Sequence, residues 1–137
     1  MSKYTELKAK HQKEVDAFPF GFAFNQKQFD EMMIKWGLKP TDIREILSIG
    51  GGGYIRRNDA DAMHEMFTRH ESERKVAMQD PDFAFEAFNY ELGNHEYCYT
   101  YELDDTLDAL GLTIDEINAD PMMADALKRA IAAQGDY

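Results

Sequence analysis

The chain has 137 residues, 44% hydrophobic and 30% charged, with 26 Asp and Glu against 15 Lys and Arg and a formal net charge of −11. That length predicts one domain over residues 1–137, large enough to bury roughly two thirds of its unfolded surface, and 9 Phe, 7 Tyr and 1 Trp exclude generic disorder. The acidic balance excludes direct clamping of nucleic acid, no apolar run approaches the ~20 residues of a membrane span, the start lacks a secretion-signal pattern, and a lone Cys98 suits a reducing cytoplasm.

Residues 3–17 predict a first helix, with Tyr4, Leu7 and Val15 on a helical period and Lys8, Lys10, Lys13 and Glu14 facing water. Phe18-Pro19 ends it, because a residue before proline is pushed out of the α region. Phe20, Phe22 and Phe24 alternate with Gly21 and Ala23, which suits an extended segment. Asn25 with Gln28 starts a second helix that buries Phe29, Met32, Met33 and Trp36 and stops at Gly37. Thr41 is expected to cap a short helix through Ile43, Ile46 and Leu47, broken by Gly50–Gly53, after which Tyr54-Ile55 pairs with Phe22–Phe24. Asn58 or Asp59 begins a long helix to about Met78, with Met63, Met66, Phe67 and His70 inward. Asp80-Pro81 opens another that runs to somewhere between Tyr97 and Tyr101. Gly111 ends a shorter helix carrying Leu103, Leu107 and Leu110, Thr113–Glu116 is a capping box, and Asp120-Pro121 opens a last helix to about Ala133. The expected fold is a mainly α domain of five to seven helices, with room for a short two-stranded β ribbon.

On a helical wheel, Asp82–Glu102 carries two apolar stripes, Phe85, Phe88, Leu92 and Tyr99 opposite Phe83, Tyr90, Tyr97 and Tyr101. Such a helix is expected between packed neighbours. Two polar seams separate the stripes: Asp82, Glu86, Asn89, Gly93 and Glu96, and Glu91, His95, Cys98 and Glu102. Gly93 weakens the helix, and the alternation in Tyr97–Tyr101 also fits a strand.

Charge is unevenly spread. Residues 1–75 are nearly balanced, whereas residues 76–127 hold thirteen acids and no Lys or Arg. One reading is a solubilising face. The other is a functional patch, because ordinary helical surfaces mix signs and an uncompensated one repels itself until a basic partner neutralises it. Asp82, Glu86, Glu96, Asp104, Asp105, Asp108, Asp115 and Glu116 are the expected partner-binding residues, and the expected partner is a basic protein such as a nucleic-acid-binding nuclease, not nucleic acid or a membrane.

The chemical motifs are weaker. Glu91, His95, Cys98 and Glu102 are potential metal ligands, but on one straight helix their ends lie about 16 Å apart, so they cannot all reach one ion. His64 and His70 do not converge, and Gly50–Gly53 lacks the strand before and the Lys-Ser/Thr helix after that a phosphate loop needs. His95 precedes Cys98 by three, yet the acids and tyrosines around the thiol oppose thiolate formation. No catalytic residue, metal or cofactor is therefore expected, and an enzyme is not. The alternatives are a metal or small-enzyme site around His95 and Cys98, and a helical oligomer with a structural role.

At Gly52-Gly53-Tyr54-Ile55-Arg56-Arg57, Asn94-His95-Glu96-Tyr97-Cys98 and Asp105-Thr106-Leu107-Asp108-Ala109-Leu110-Gly111-Leu112-Thr113, the chain resembles uncharacterised small acidic proteins of gut bacteria and their phages and mobile elements. That resemblance brings no activity and no catalytic residues. It implies a context in which small acidic proteins include inhibitors of host nucleases, among them anti-CRISPR proteins that mimic nucleic acid, an analogy of charge and origin.

Overall fold

A computed structural model describes residues 2–135. In chain order the elements are α1 (Lys3–Ala17), β1 (Gly21–Phe22), α2 (Gln26–Lys35), β2 (Ile46–Gly50), β3 (Gly53–Arg56), α3 (Ala60–Ala77), α4 (Pro81–Asn94), α5 (Tyr97–Thr100), α6 (Asp104–Leu110), α7 (Ile114–Asn118) and α8 (Pro121–Gln134). Single 3₁₀ turns at Ile43–Glu45 and Arg57–Asp59 precede β2 and α3. The protein is mainly α with a small antiparallel sheet, eight α-helices and three strands among the described residues. The described residues divide into two compact units, residues 13–68 and residues 2–12 with 69–135.

In the unit of residues 13–68, the Asn25 side chain caps α2 by accepting from Gln28 N–H. Gln28 Oε1 in turn accepts from Phe24 N–H at 2.8 Å, one residue short of the reciprocal bond of a capping box. Met32 and Met33 on α2 pack with Ala23 and Ile46. The predicted ribbon exists as Gly21↔Tyr54 and Phe22↔Gly53, and a third strand joins it in the order β1-β3-β2. That third strand corrects the short helix expected through Ile46 and Leu47. Only one 3₁₀ turn forms there, and Ile46, Leu47 and Ser48 pair with Arg56, Ile55 and Tyr54. The glycine run decides this, since Gly50, Gly51 and Gly52 all take positive φ (88°, 60° and 79°) and turn the chain back on itself. The alternation at 20–24 is real, and the structure sets its face. Gly21 and Ala23 are buried, while Phe22 and Phe24 are exposed. A Cβ on Gly21 would lie 2.5 Å from Met32 Sδ, so the face toward α2 admits only small residues.

In the other unit, α4 packs along α8, and Ala84, Ala87, Phe88 and Leu92 join Ala126, Leu127 and Ala130 in the core. Phe88 is fully buried, which contributes about 1.5–3 kcal/mol of transfer free energy. Asp80 and Asp120 cap α4 and α8 through Oδ1, each ahead of a proline at the first helical position. On α3, whose residues fall in both units, Met66 (of residues 13–68) and His70 (of the other unit) are buried as expected, but Phe67 (of residues 13–68) is 44% exposed.

The single helix expected from Pro81 to the 97–101 region is corrected. It stops at Asn94, Glu96 and Tyr101 adopt the left-handed region (both φ 56°), and α5 is one turn between them, neither a continuation nor a strand. Gly93 and Asn94 favour that stop by their poor helix propensity. The two-stripe pattern fails at Tyr90 within α4, and the break dissolves it beyond Leu92. Phe83, Phe88 and Leu92 are buried and Phe85 and Tyr97 half-buried, whereas Tyr90, Tyr99 and Tyr101 face solvent.

Candidate functional site

The acidic stretch is displayed on short helices whose apolar positions leave the carboxylates outside. On α6, Thr106, Leu107 and Leu110 are buried, which turns Asp104, Asp105 and Asp108 to solvent. On α7 only Ile117 is buried, so Asp115 and Glu116 are exposed, with Thr113 Oγ1 accepting from Glu116 N–H at 3.2 Å to start the helix. Asp82 is exposed in the first turn of α4, and Glu96 is exposed at its left-handed corner. Glu86 is half-buried, with Oε2 closed off from solvent and lacking a hydrogen-bond partner among the described residues. Thus Asp104, Asp105 and Asp108 share one helix, Asp115 and Glu116 one first turn, and Asp82 and Glu86 one face of α4. Among the described residues none of these eight carboxylates lies within 4.0 Å of a Lys, Arg or His nitrogen.

Several other acids behave differently. Glu73 accepts from Lys10 Nζ and from Arg69 Nη1, each at 3.1 Å, and the Lys10 hydrogen bond above all holds its carboxyl below the usual range. Lys75 does the same to Glu71. Asp59 pairs with Arg56 and Asp125 with Arg129. Asp59, Glu71, Glu73 and Asp125 are therefore tied into local pairs and Asp80 and Asp120 into caps, whereas the eight carry their charge without such a cation.

Glu91 lies in neither group. The wheel set it on a polar seam with His95, Cys98 and Glu102, but it is completely buried. Its carboxylate accepts from Tyr4 Oη at 2.8 Å and from Lys8 Nζ at 3.0 and 3.1 Å, and its backbone oxygen accepts from Thr106 Oγ1 at 3.3 Å. Burial, followed by the hydrogen bond and charge of Glu91, pushes the Tyr4 phenol well above its ordinary range. Tyr4 and Lys8 are four apart on α1, so one helical face delivers both donors to one carboxylate. A glutamate between Tyr90 and Leu92 was the one sequence signal for this cluster.

The arrangement bears on the metal alternative. Glu91 is already neutralised, His95 Nε2 lies 3.9 Å from Glu91 Oε1, and Cys98 sits past the helix break on α5. No group of three His, Cys, Asp or Glu side chains among the described residues is placed to hold a metal ion. His70, expected in the core, stacks on His11 at 3.9 Å between ring centroids, a pairing of distant residues with no sequence signal. Gly50–Gly53 forms the hairpin turn, and no helix among the described residues is long and apolar enough to cross a membrane.

Residues 3–133 match a family of unknown function, DUF7659, and the chain belongs to that family. No curated protein and no solved structure matches it.

Proposed function

We propose that this chain is a non-enzymatic binding module whose acidic surface engages a basic groove on a nucleic-acid-binding protein, as an inhibitor encoded by a phage or mobile element. The observation that supports this reading is the charge density on α6. Asp104, Asp105 and Asp108 are exposed and unpaired among the described residues, and lie within about 6 Å along the helix axis at 1.5 Å per residue. That is one charge per roughly 2–3 Å, against about one per 1.7 Å along duplex DNA, so α6 offers a short stretch of comparable density. Asp82, Glu86, Glu96, Asp115 and Glu116 extend the negative surface beyond it. The family match adds no activity and leaves the partner to be identified by its charge.

The test compares affinities for one purified basic partner of the wild type, the triple variant Asp104→Lys, Asp105→Lys, Asp108→Lys, and the control Lys27→Glu, Lys35→Glu, Lys39→Glu. The control avoids Lys8 and Lys10, which hold Glu91 and Glu73. The acidic reversal should weaken binding at least about tenfold and flatten its salt dependence, while the control changes it far less. Equal loss in both sets, or no loss in the acidic one, refutes the proposal.

A further inference from the structure

The geometry points to a recess between α5 and the last turn of α8 that takes an arginine side chain of the basic partner, an assignment that rests on the acidic-module reading. The recess has a volume of about 280 Å³ and is lined by Tyr97, Cys98, Tyr101, Ile131, Gln134 and Gly135. Tyr97 and Tyr101 form two of its walls. Their rings meet edge to face, with centroids 5.9 Å apart and planes at 78°. The left-handed turn at Tyr101, closed by its N–H donating to Tyr97 O at 2.8 Å, keeps the two side chains beside each other.

Two tyrosine rings beside the aliphatic Ile131 match a guanidinium on an apolar stem. A tyrosine ring attracts a cation, Ile131 and Cys98 can cover the methylene chain, and Gln134, whose Nε2 donates to Asn89 Oδ1 at 2.6 Å, adds a polar side chain to the lining. The charge around the recess agrees. Glu96 and Glu102 flank α5, and residues 76–127 contain no Lys or Arg to occupy it from within. Lys128, one turn before Ile131 on α8, lines a separate recess with Leu103 and Ile117. This unit already seats cations on aromatic rings, with Lys8 Nζ 5.0 Å from the Tyr90 centroid and Arg129 Cζ 5.4 Å from that of Phe85. Arginine fits better than lysine because its planar, weakly hydrated guanidinium stacks on a ring, while an ammonium holds its water. Tyr101 is 75% exposed, so the wall is accessible to a partner.

The experiment measures binding of two peptides of equal charge, hexa-arginine and hexa-lysine, to the full chain by calorimetry, with backbone NMR shifts mapping the contact. The wild type should prefer hexa-arginine by about three- to tenfold, with the largest shifts at Cys98, Tyr101 and Ile131. Tyr101→Leu keeps apolar bulk at an exposed position and should abolish the preference, with its thermal unfolding transition unchanged as the folding control. The Asp104→Lys, Asp105→Lys, Asp108→Lys variant should weaken both peptides alike and keep their ratio. Equal affinities in the wild type, a preference that survives Tyr101→Leu, or no binding of either peptide overturns the recess. Equal, salt-sensitive binding of both peptides leaves the acidic-module reading standing without it, whereas loss of that reading is judged by the charge-reversal assay alone.

Discussion

Replacing Lys8 by methionine keeps most of its aliphatic stem but strands the Glu91 carboxylate inside the protein. The gross attraction between charges 3.0 Å apart is about 5–6 kcal/mol at an effective dielectric of 20. The Lys8 side chain is 45% exposed, so water screens part of that attraction and the ammonium keeps part of its hydration. Discounted for this, the loss should be about 2 kcal/mol, below the 3–5 kcal/mol typical when a fully buried pair loses a partner. Glu91→Gln should cost less, about 1 kcal/mol, because the amide oxygen still accepts from Tyr4 Oη and the half-exposed Lys8 can turn into water. The double variant should then be more stable than the two single costs added together imply, since neither charge is left stranded. Urea unfolding followed by far-ultraviolet circular dichroism at pH 7 measures all three. A Lys8→Met cost no larger than that of Glu91→Gln, or single costs that simply add in the double variant, would refute the view that Lys8 neutralises a buried carboxylate.

Two further outcomes follow from burial in the same unit. Phe88→Ala should cost about 3–5 kcal/mol in the same assay, whereas Tyr90→Ala, at a site 42% exposed, should cost about 1 kcal/mol; similar values for the two would contradict their placement. Tyr4 is neutral in the folded chain beyond the ordinary tyrosine value of 10.0, so the stability it contributes is complete below that pH and drains away above it as the unfolded chain ionises. Unfolding curves between pH 9 and 11 should steepen that loss in the wild type relative to Tyr4→Phe, and parallel curves would count against the buried hydrogen bond.

Local chemistry was readable at four caps whose partners lie within a few residues, though not at Thr41, where the turn at Ile43–Glu45 has no side-chain cap and leads into a strand. The caps at Asn25, Asp80, Thr113 and Asp120 each act on backbone N–H groups two or three positions on, so their sequence signature is also their structure. The exposure of Asp104, Asp105 and Asp108 was readable for a related reason, because α6 is short and its apolar period leaves those positions no alternative. The pairing of the segment around Phe22 with that around Tyr54 could be inferred from matching extended stretches, although its face could not.

What the sequence by itself determined is a helix-rich chain with cap positions, a glycine turn and an acidic stretch free of Lys and Arg, since these follow from the backbone preferences and charges of residues near one another. Only the tertiary structure decided that Ile46–Gly50 is a strand, because a strand is stabilised by the partner it pairs with and the short run there suits either form. It alone turned Phe22 and Phe24 outward, since the close approach of α2 leaves room for nothing larger than glycine and alanine on the inner side. It alone buried Glu91, because the cost of removing a carboxylate from water is offset by donors on α1, more than eighty positions away, that no local pattern announces.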